Sequence, residues 1–254
     1  MKNFQLKAKI LAQTKIKDNY WHCEFSAPQI AKNALPGQFI NIRVSDNFDP
    51  LLRRPISLHG VSAAEVKIVY EVVGKATEIL ARKKKGEFLD IIGPLGNGFD
   101  LERQKTEDRR QILVAGGMGV APLMFLAEKL KVPSLVLIGA KTKKDLLCVQ
   151  EFKKLGCSVK ISTDDGSLGF KGRVTELLRN NLTKGCALYA CGPKPMLKVI
   201  SDISSEYNIP AQVSLEEHMS CGFGACLGCV VKTKEGLKRV CQEGPVFKAQ
   251  DLIW

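Results

Sequence analysis

Gln111-Ile112-Leu113-Val114-Ala115-Gly116-Gly117-Met118-Gly119-Val120-Ala121-Pro122 is the stretch on which the fold turns. Ile112–Ala115 is a short, unbroken apolar run, the pattern of a strand buried on both faces. Glycines follow at once, and Leu123–Lys131 then takes up helical spacing. Strand, glycine turn and helix in that order form a nucleotide-binding unit. Gly116, Gly117 and Gly119 would let the main chain approach a pyrophosphate at a helix N-terminus. The pattern stops short of a full G-x-G-x-x-G.

Downstream, apolar runs and helical patterns keep alternating: Ser134–Gly139, Leu146–Leu155, Ser158–Ser162, Arg173–Asn180, Ala187–Ala190 and Pro195–Tyr207. That alternation predicts a parallel sheet with helices on both faces. Cys191-Gly192-Pro193-Lys194-Pro195-Met196 directly follows one strand, so Cys191 and Gly192 fall at the carboxyl edge, where open α/β sheets bind ligands. Thr163-Asp164-Asp165-Gly166 follows another. Acidic residues there suit ribose hydroxyls and repel a 2′-phosphate, which favours NADH over NADPH, although a plain turn would also use them.

Upstream, the texture is that of short strands between turns. Phe4–Ile10 alternates with period two, Tyr20–Phe25 is β-like, Leu35–Val44 is a turn and a strand, and Val66–Val73 is the clearest strand. A glycine-rich turn, Gly93–Gly98, closes the region. Strands at this spacing predict a small antiparallel barrel with one helix, Thr77–Lys85, which Thr77 would cap. Arg53 and Arg54, set against an apolar strand, could offer a guanidinium fork to a phosphate. The start of the Thr77 helix would favour the same anion. A surface arginine pair and an ordinary capped helix explain the same residues. The charged stretch Glu102–Arg110 marks a boundary, giving expected units of 1–100, 101–211 and 212–254.

The last unit carries four of the nine cysteines, Cys221, Cys226, Cys229 and Cys241, in the spacing C-x4-C-x2-C-x11-C. Three thiolates from one tight loop and a fourth from a later segment resemble the plant-type arrangement for a 2Fe–2S cluster. Gly222, Gly224 and Gly228 would bring main-chain amides close to the sulfurs. A structural zinc site pairs two C-x2-C knuckles, and only one is present. Disulfides fit poorly with five further cysteines in apolar contexts, and His218 lacks the second histidine of a Rieske centre.

The chain of 254 residues has room for two domains and a small appendage. No apolar run nears the length of a membrane span. Met1–Lys7 has no apolar core, so no export signal and a reducing cytoplasm are expected. A net charge of +12 invites a nucleic-acid reading, yet the lysines are spread along the chain and only Arg82–Lys85 forms a run. A solvated run is the simpler account, and no nucleic acid is expected as a partner.

These motifs together resemble the ferredoxin reductase superfamily. Leu51–Ser57, Gly93–Phe99, Glu216–Cys226 and Gly244–Ala249 further resemble the electron-transfer subunits of class-B dihydroorotate dehydrogenases. The resemblance covers essentially the whole chain. It implies an N-terminal flavin-binding barrel, a central nucleotide-binding domain and a small iron–sulfur domain. It puts FAD against Arg54, Pro55, Ile56 and Ser57, along Val69, Tyr70 and Glu71, and at Ala76 and Thr77. It implies NAD at Gly116, Gly117, Gly119, Cys191 and Gly192, and a 2Fe–2S cluster on Cys221, Cys226, Cys229 and Cys241. Three positions depart from the common pattern: Ile56 replaces an aromatic residue, Glu71 a basic one and Ala76 a glycine.

The chemistry is coherent without the family. A nicotinamide exchanges electrons in pairs and such a cluster singly, so a flavin is needed between them. No catalytic acid or base is nominated in this chain. The resemblance implies that a separate FMN-containing subunit oxidises dihydroorotate for pyrimidine synthesis, in a heterotetramer of two copies of each. Alternatives are a reductase subunit of a hydrogenase, sulfide or ferredoxin-linked complex, and a zinc-stabilised binding module.

Overall fold

The computed structural model describes residues 2–101, 110–130 and 132–254. Most of the charged boundary stretch, and Lys131 at the end of the expected helix, lie outside them. Strands β1 (Phe4–Lys17), β2 (Tyr20–Ser26), β3 (Phe39–Arg43), β4 (Arg54–Ser62), β5 (Glu65–Glu71) and β6 (Phe88–Leu95) close into an antiparallel barrel in the order β1-β2-β5-β4-β3-β6. Alternate residues fill it: Ala8 and Ile10, Cys23 and Phe25, Ile40 and Ile42, Leu89 and Ile91. β1 runs well past the expected Ile10, and bulges after Ile10 and Lys15 let it bend around the barrel. A short helix, α1 (Pro28–Asn33), was not legible in the sequence, since six residues with two buried carry no period.

The one helix expected in this region exists but starts earlier, as α2 (Lys75–Arg82), with Gly74 at the N-cap. Thr77 is not the cap residue. It sits one turn in, and its hydroxyl accepts from the amides of Val73 (3.0 Å) and Gly74 (3.3 Å). That occupies the two amides preceding the helix and holds its first turn against the β5 exit.

The second layer is a sheet ordered β10-β9-β8-β7-β11-β12-β15, its last strand being β15 (Val246–Lys248). Its parallel strands are β7 (Gln111–Gly116), β8 (Leu135–Ala140), β9 (Ser158–Thr163), β10 (Phe170–Lys171), β11 (Ala187–Cys191) and β12 (Ala211–Ser214). All six residues of β7 are buried, as the apolar run requires. Helices α3 (Val120–Leu130), α4 (Val149–Lys154), α5 (Val174–Arg179) and α6 (Lys194–Glu206) cover the two faces. The chain leaves β7 toward β8 on one side and later reaches β11 on the other. The crevice of this switch point therefore opens at the carboxyl ends of β7 and β11.

The tail adds a hairpin, β13 (Val230–Thr233) with β14 (Gly236–Arg239), and then β15 (Val246–Lys248), which pairs antiparallel with β12. The sequence boundary at 211/212 falls inside β12. Phe39 and Leu95 of the barrel, Ile112 and Leu188 of the sheet, and Cys229, Val240 and Cys241 of the tail share one apolar cluster. No helix among the described residues is long and apolar enough to cross a membrane.

Where barrel meets α3, His59 is buried with Nδ1 3.2 Å from the Ala121 carbonyl and its ring edge-on to His22. Burial, and then His22, push its pKa from 6.5 down to about 4, against the pull of the Ala121 carbonyl. Below 6.5 the unfolded chain takes up a proton that the folded chain refuses until about 4. Stability therefore falls as pH falls through that window, by about 3 kcal/mol from this group at pH 4. Urea midpoints at pH 7 and 4.5 should draw closer in His59→Asn than in the parent. An unchanged gap would remove His59 as the cause.

Candidate cofactor cleft and cysteine loop

The crevice holds a cleft of ≈ 630 Å³. The turns after β7 and β11 form its floor, packed against each other. A Cβ on Gly119 would lie 1.9 Å from the Cys191 carbonyl oxygen, and one on Gly192 3.0 Å from the Gly116 main chain. Gly117, at φ +54°, has open space around it on the cleft side. Four of the five expected nucleotide residues thus meet at one contact, with Gly117 projecting beside it. Cys191 lies at its centre, and burial pushes its thiol up to about 12 despite a hydrogen bond with Ser214. Burial thus favours its neutral thiol at pH 7.

The two aspartates of the β9 turn part company. Asp164 faces the cleft, 3.7 Å from Arg173 Nε, whereas Asp165 turns aside to the amide (2.9 Å) and hydroxyl (2.6 Å) of Ser167. Tyr20 and Glu71 of the barrel form the opposite wall. Tyr20 was missed, because a tyrosine opening a β-strand has no nucleotide signature in sequence.

On the barrel, the arginine pair is unequal. Arg53 is tied to Asp90 by a 2.8 Å ion pair and a 2.9 Å bond to its carbonyl. Arg54 bonds to the Leu52 carbonyl at 2.8 Å and pairs with no acid among the described residues. Its charge is the one left for an anion. Pro55, Ile56 and Ser57 continue β4 opposite Asn41, Ile40 and Phe39. Val69 and Tyr70 are buried, and the Tyr70 hydroxyl accepts from Gln13 Nε2 at 2.7 Å. Tyr70 therefore has its main chain, not its ring, to offer a ligand. Ala76 is buried among barrel residues, and α2 starts from Gly74 with Glu78 in its first turn.

The cysteine loop is built around its sulfurs. Amides of Phe223, Ala225 and Cys226 point at Cys221 Sγ. Burial alone would raise that thiol, but these bonds outweigh it and hold it down to about 6. The Gly228 amide lies 3.5 Å from Cys226 Sγ, and the Cys241 amide 3.4 Å from Cys229 Sγ. Gly222 and Gly224, at φ +78° and +91°, make the turns that aim these amides. Cys221 interacts with Cys226 and Cys229 with Cys241, and Cys221 also acts on Cys241, so all four sulfurs lie in one neighbourhood. Four cysteine sulfurs within a shell of sulfur-directed amides suit a group held by thiolates. His218 instead lines a small cavity beside Lys194 and Glu217.

Two family models match the chain. Residues 216–253 match the model for the iron–sulfur cluster binding domain of dihydroorotate dehydrogenase B, and residues 113–202 match the oxidoreductase NAD-binding domain. The electron transfer subunit of dihydroorotate dehydrogenase B (NAD(+)) from Desulforamulus reducens is 44% identical, over 97% of each chain. The subunit of the same name from Caldanaerobacter subterraneus is 38% identical, over 99% of each. Among solved structures, one titled for an NADH-dependent reduced ferredoxin-NADP oxidoreductase superposes with a TM-score of 0.85 at 32% identity. It covers 97% of this chain and 90% of that one. A ferredoxin NADP+ reductase from Neisseria gonorrhoeae, solved with FAD and NADP, shares the fold at 17% identity and a TM-score of 0.67, over 80% of this chain and 91% of that one.

Proposed function

This chain belongs to the family of electron transfer subunits of dihydroorotate dehydrogenase B, and from that premise we propose how its residues divide the work. Electrons from dihydroorotate, two with two protons per orotate formed, are released on a separate FMN-containing catalytic subunit. They pass through a 2Fe–2S cluster and FAD on this chain to NAD+, in the cytoplasm and in the service of pyrimidine synthesis. The complex is a heterotetramer with two copies of each subunit.

Residues 1–100, 101–211 and 212–254 carry the flavin, nucleotide and cluster functions. Arg54 and the first amides of α2 hold the flavin phosphates, while Pro55, Ile56, Ser57 and the main chain of Val69–Glu71 flank its ring system. Gly116, Gly117 and Gly119 admit the dinucleotide pyrophosphate. Cys191 and Gly192 shape the nicotinamide end, where a neutral thiol keeps charge and water away. Asp164 faces the adenosine ribose. Cys221, Cys226, Cys229 and Cys241 hold the irons, and the loop amides stabilise the thiolates. When bound, the flavin exchanges electrons singly with the cluster and in pairs with the nicotinamide.

The observation that carries this reading is the shared apolar cluster that holds the cysteine loop, the barrel and the sheet together. The test is an anaerobic visible spectrum with iron, sulfide and flavin analysis, before and after NADH. Flavin and cluster absorption that both bleach support the relay, and a colourless zinc protein would overturn it. Dihydroorotate should bleach the chain only when the catalytic subunit is present. The 32% identity to the NADH-dependent reduced ferredoxin-NADP oxidoreductase favours a second reading, a reductase subunit of another redox complex. The oxidoreductase that co-purifies with the chain separates the two.

A further inference from the structure

β3 runs between the strand assigned to the flavin and the cysteine loop. Its Ile40 and Ile42 fill the barrel, while Phe39 joins the apolar cluster of the tail. Asn41 alternates with the isoleucines and so belongs to the face of Phe39. There Asn41 Nδ2 donates to the Cys221 carbonyl oxygen at 2.9 Å, and across the ladder Asn41 stands opposite Pro55 of β4. Asn41 thus ties the cysteine loop, through its side-chain amide, to the strand that pairs along its backbone with β4.

Stability does not account for this residue. The side chain is 1% exposed, and its Oδ1 is buried without a hydrogen-bond partner among the described groups. An orphaned buried acceptor costs folding energy, and an apolar side chain of the same shape would avoid that cost. The loop, in turn, is fitted to the amide. A Cβ on Gly222 would lie 2.3 Å from Asn41 Nδ2, and φ at that glycine is +78°. The contact is specified from both sides, by a side chain on the barrel and by the absence of one on the loop.

We propose that Asn41 is a positioning residue for electron transfer. By holding the Cys221 peptide on β3, it fixes the separation of the cysteine loop from β4, and with it the rate at which single electrons leave the reduced cluster for the flavin. The proposal rests on the assignment of β4 and the cysteine loop given above.

Two variants of the holoprotein test it. Asn41→Leu is close in shape and removes both the bond and the orphaned oxygen. Asn41→Asp sets a carboxylate against the Cys221 carbonyl. Both should speed amide exchange in residues 220–224, shift the electron paramagnetic resonance signal of the reduced cluster, and slow cluster-to-flavin transfer about tenfold or more, the effect of losing a partner that orients a metal ligand. Hydride transfer from NADH to flavin should stay unchanged, and Asn41→Leu should melt no lower than the parent. Unaltered exchange and cluster-to-flavin rate in Asn41→Leu would overturn the proposal, as would equal slowing of both half-reactions. Should Asn41→Asp fail to fold, Gly222→Ala forces the same contact from the loop side, and a normal cluster-to-flavin rate there overturns it too. A parent protein without iron or flavin would refute the functional assignment instead. The exchange comparison would still report whether Asn41 holds the loop.

Discussion

Cys229→Ser yields a protein that binds flavin and is reduced by NADH, yet contains almost no iron or labile sulfide. Cys229 lies 3% exposed in the shared apolar cluster, with the Cys241 amide 3.4 Å from its sulfur. A serine oxygen there is a poor thiolate substitute, and no other described ligand is poised to replace it. Losing even an orienting partner costs a metal site about 10–100-fold, so loss of a ligand should cut electron flow from the catalytic subunit to NAD+ by at least about 100-fold. The matched control is Cys186→Ser, a fully buried cysteine far along the chain from the loop. It should keep its iron. Full iron in Cys229→Ser, or equal loss in both variants, would remove Cys229 from the ligand set.

The second large effect is expected at Gly119. Its Cβ would sit 1.9 Å from Cys191 O and 2.9 Å from Gly192 N, main-chain atoms anchored by β11. Gly119→Ala must therefore push apart the two turns that floor the cleft. Overpacking of this kind costs about 1–3 kcal/mol of stability. The displaced turn, shifted by roughly 1 Å, should cost on the order of 100-fold in kcat/KM for NADH. Gly117→Ala is the contrast, since nothing lies within 4 Å of a Cβ there and the cost is the φ of +54° alone, about 1–2 kcal/mol. Thermal melts and NADH titrations of both variants decide the matter. Gly119→Ala binding NADH like the parent would show that the turns do not act as a unit.

Legibility in the sequence followed how local each signal was. The β7 run, the glycine turn and the cysteine spacing announced themselves because each is a short pattern with one physical reading. The helix starts were less exact. Gly74 caps α2 with no side chain to show for it, and Thr77 does its work from one turn inside. The two arginines looked alike, and only the distant Asp90 distinguishes them by occupying Arg53. Tyr20 and Asn41 were invisible for the same reason. Tyr20 shares a cleft with Gly117 and Asn41 meets Cys221, residues remote in the chain, and such pairings across strands and turns leave no periodic trace.

β15 closes the far edge of the nucleotide sheet by pairing with β12, and the cysteine loop is strung between those two strands. The consequence concerns portability. A cluster module excised at the loop would leave behind a sheet with a raw edge at β12, a template for unwanted strand addition. To graft this cluster onto another reductase, an engineer would have to transplant β12, the loop, the hairpin and β15 together. The recipient would have to offer a free parallel edge like that of β11, with a barrel strand able to meet Cys221. A recipient lacking either would leave the loop without one of its two anchors.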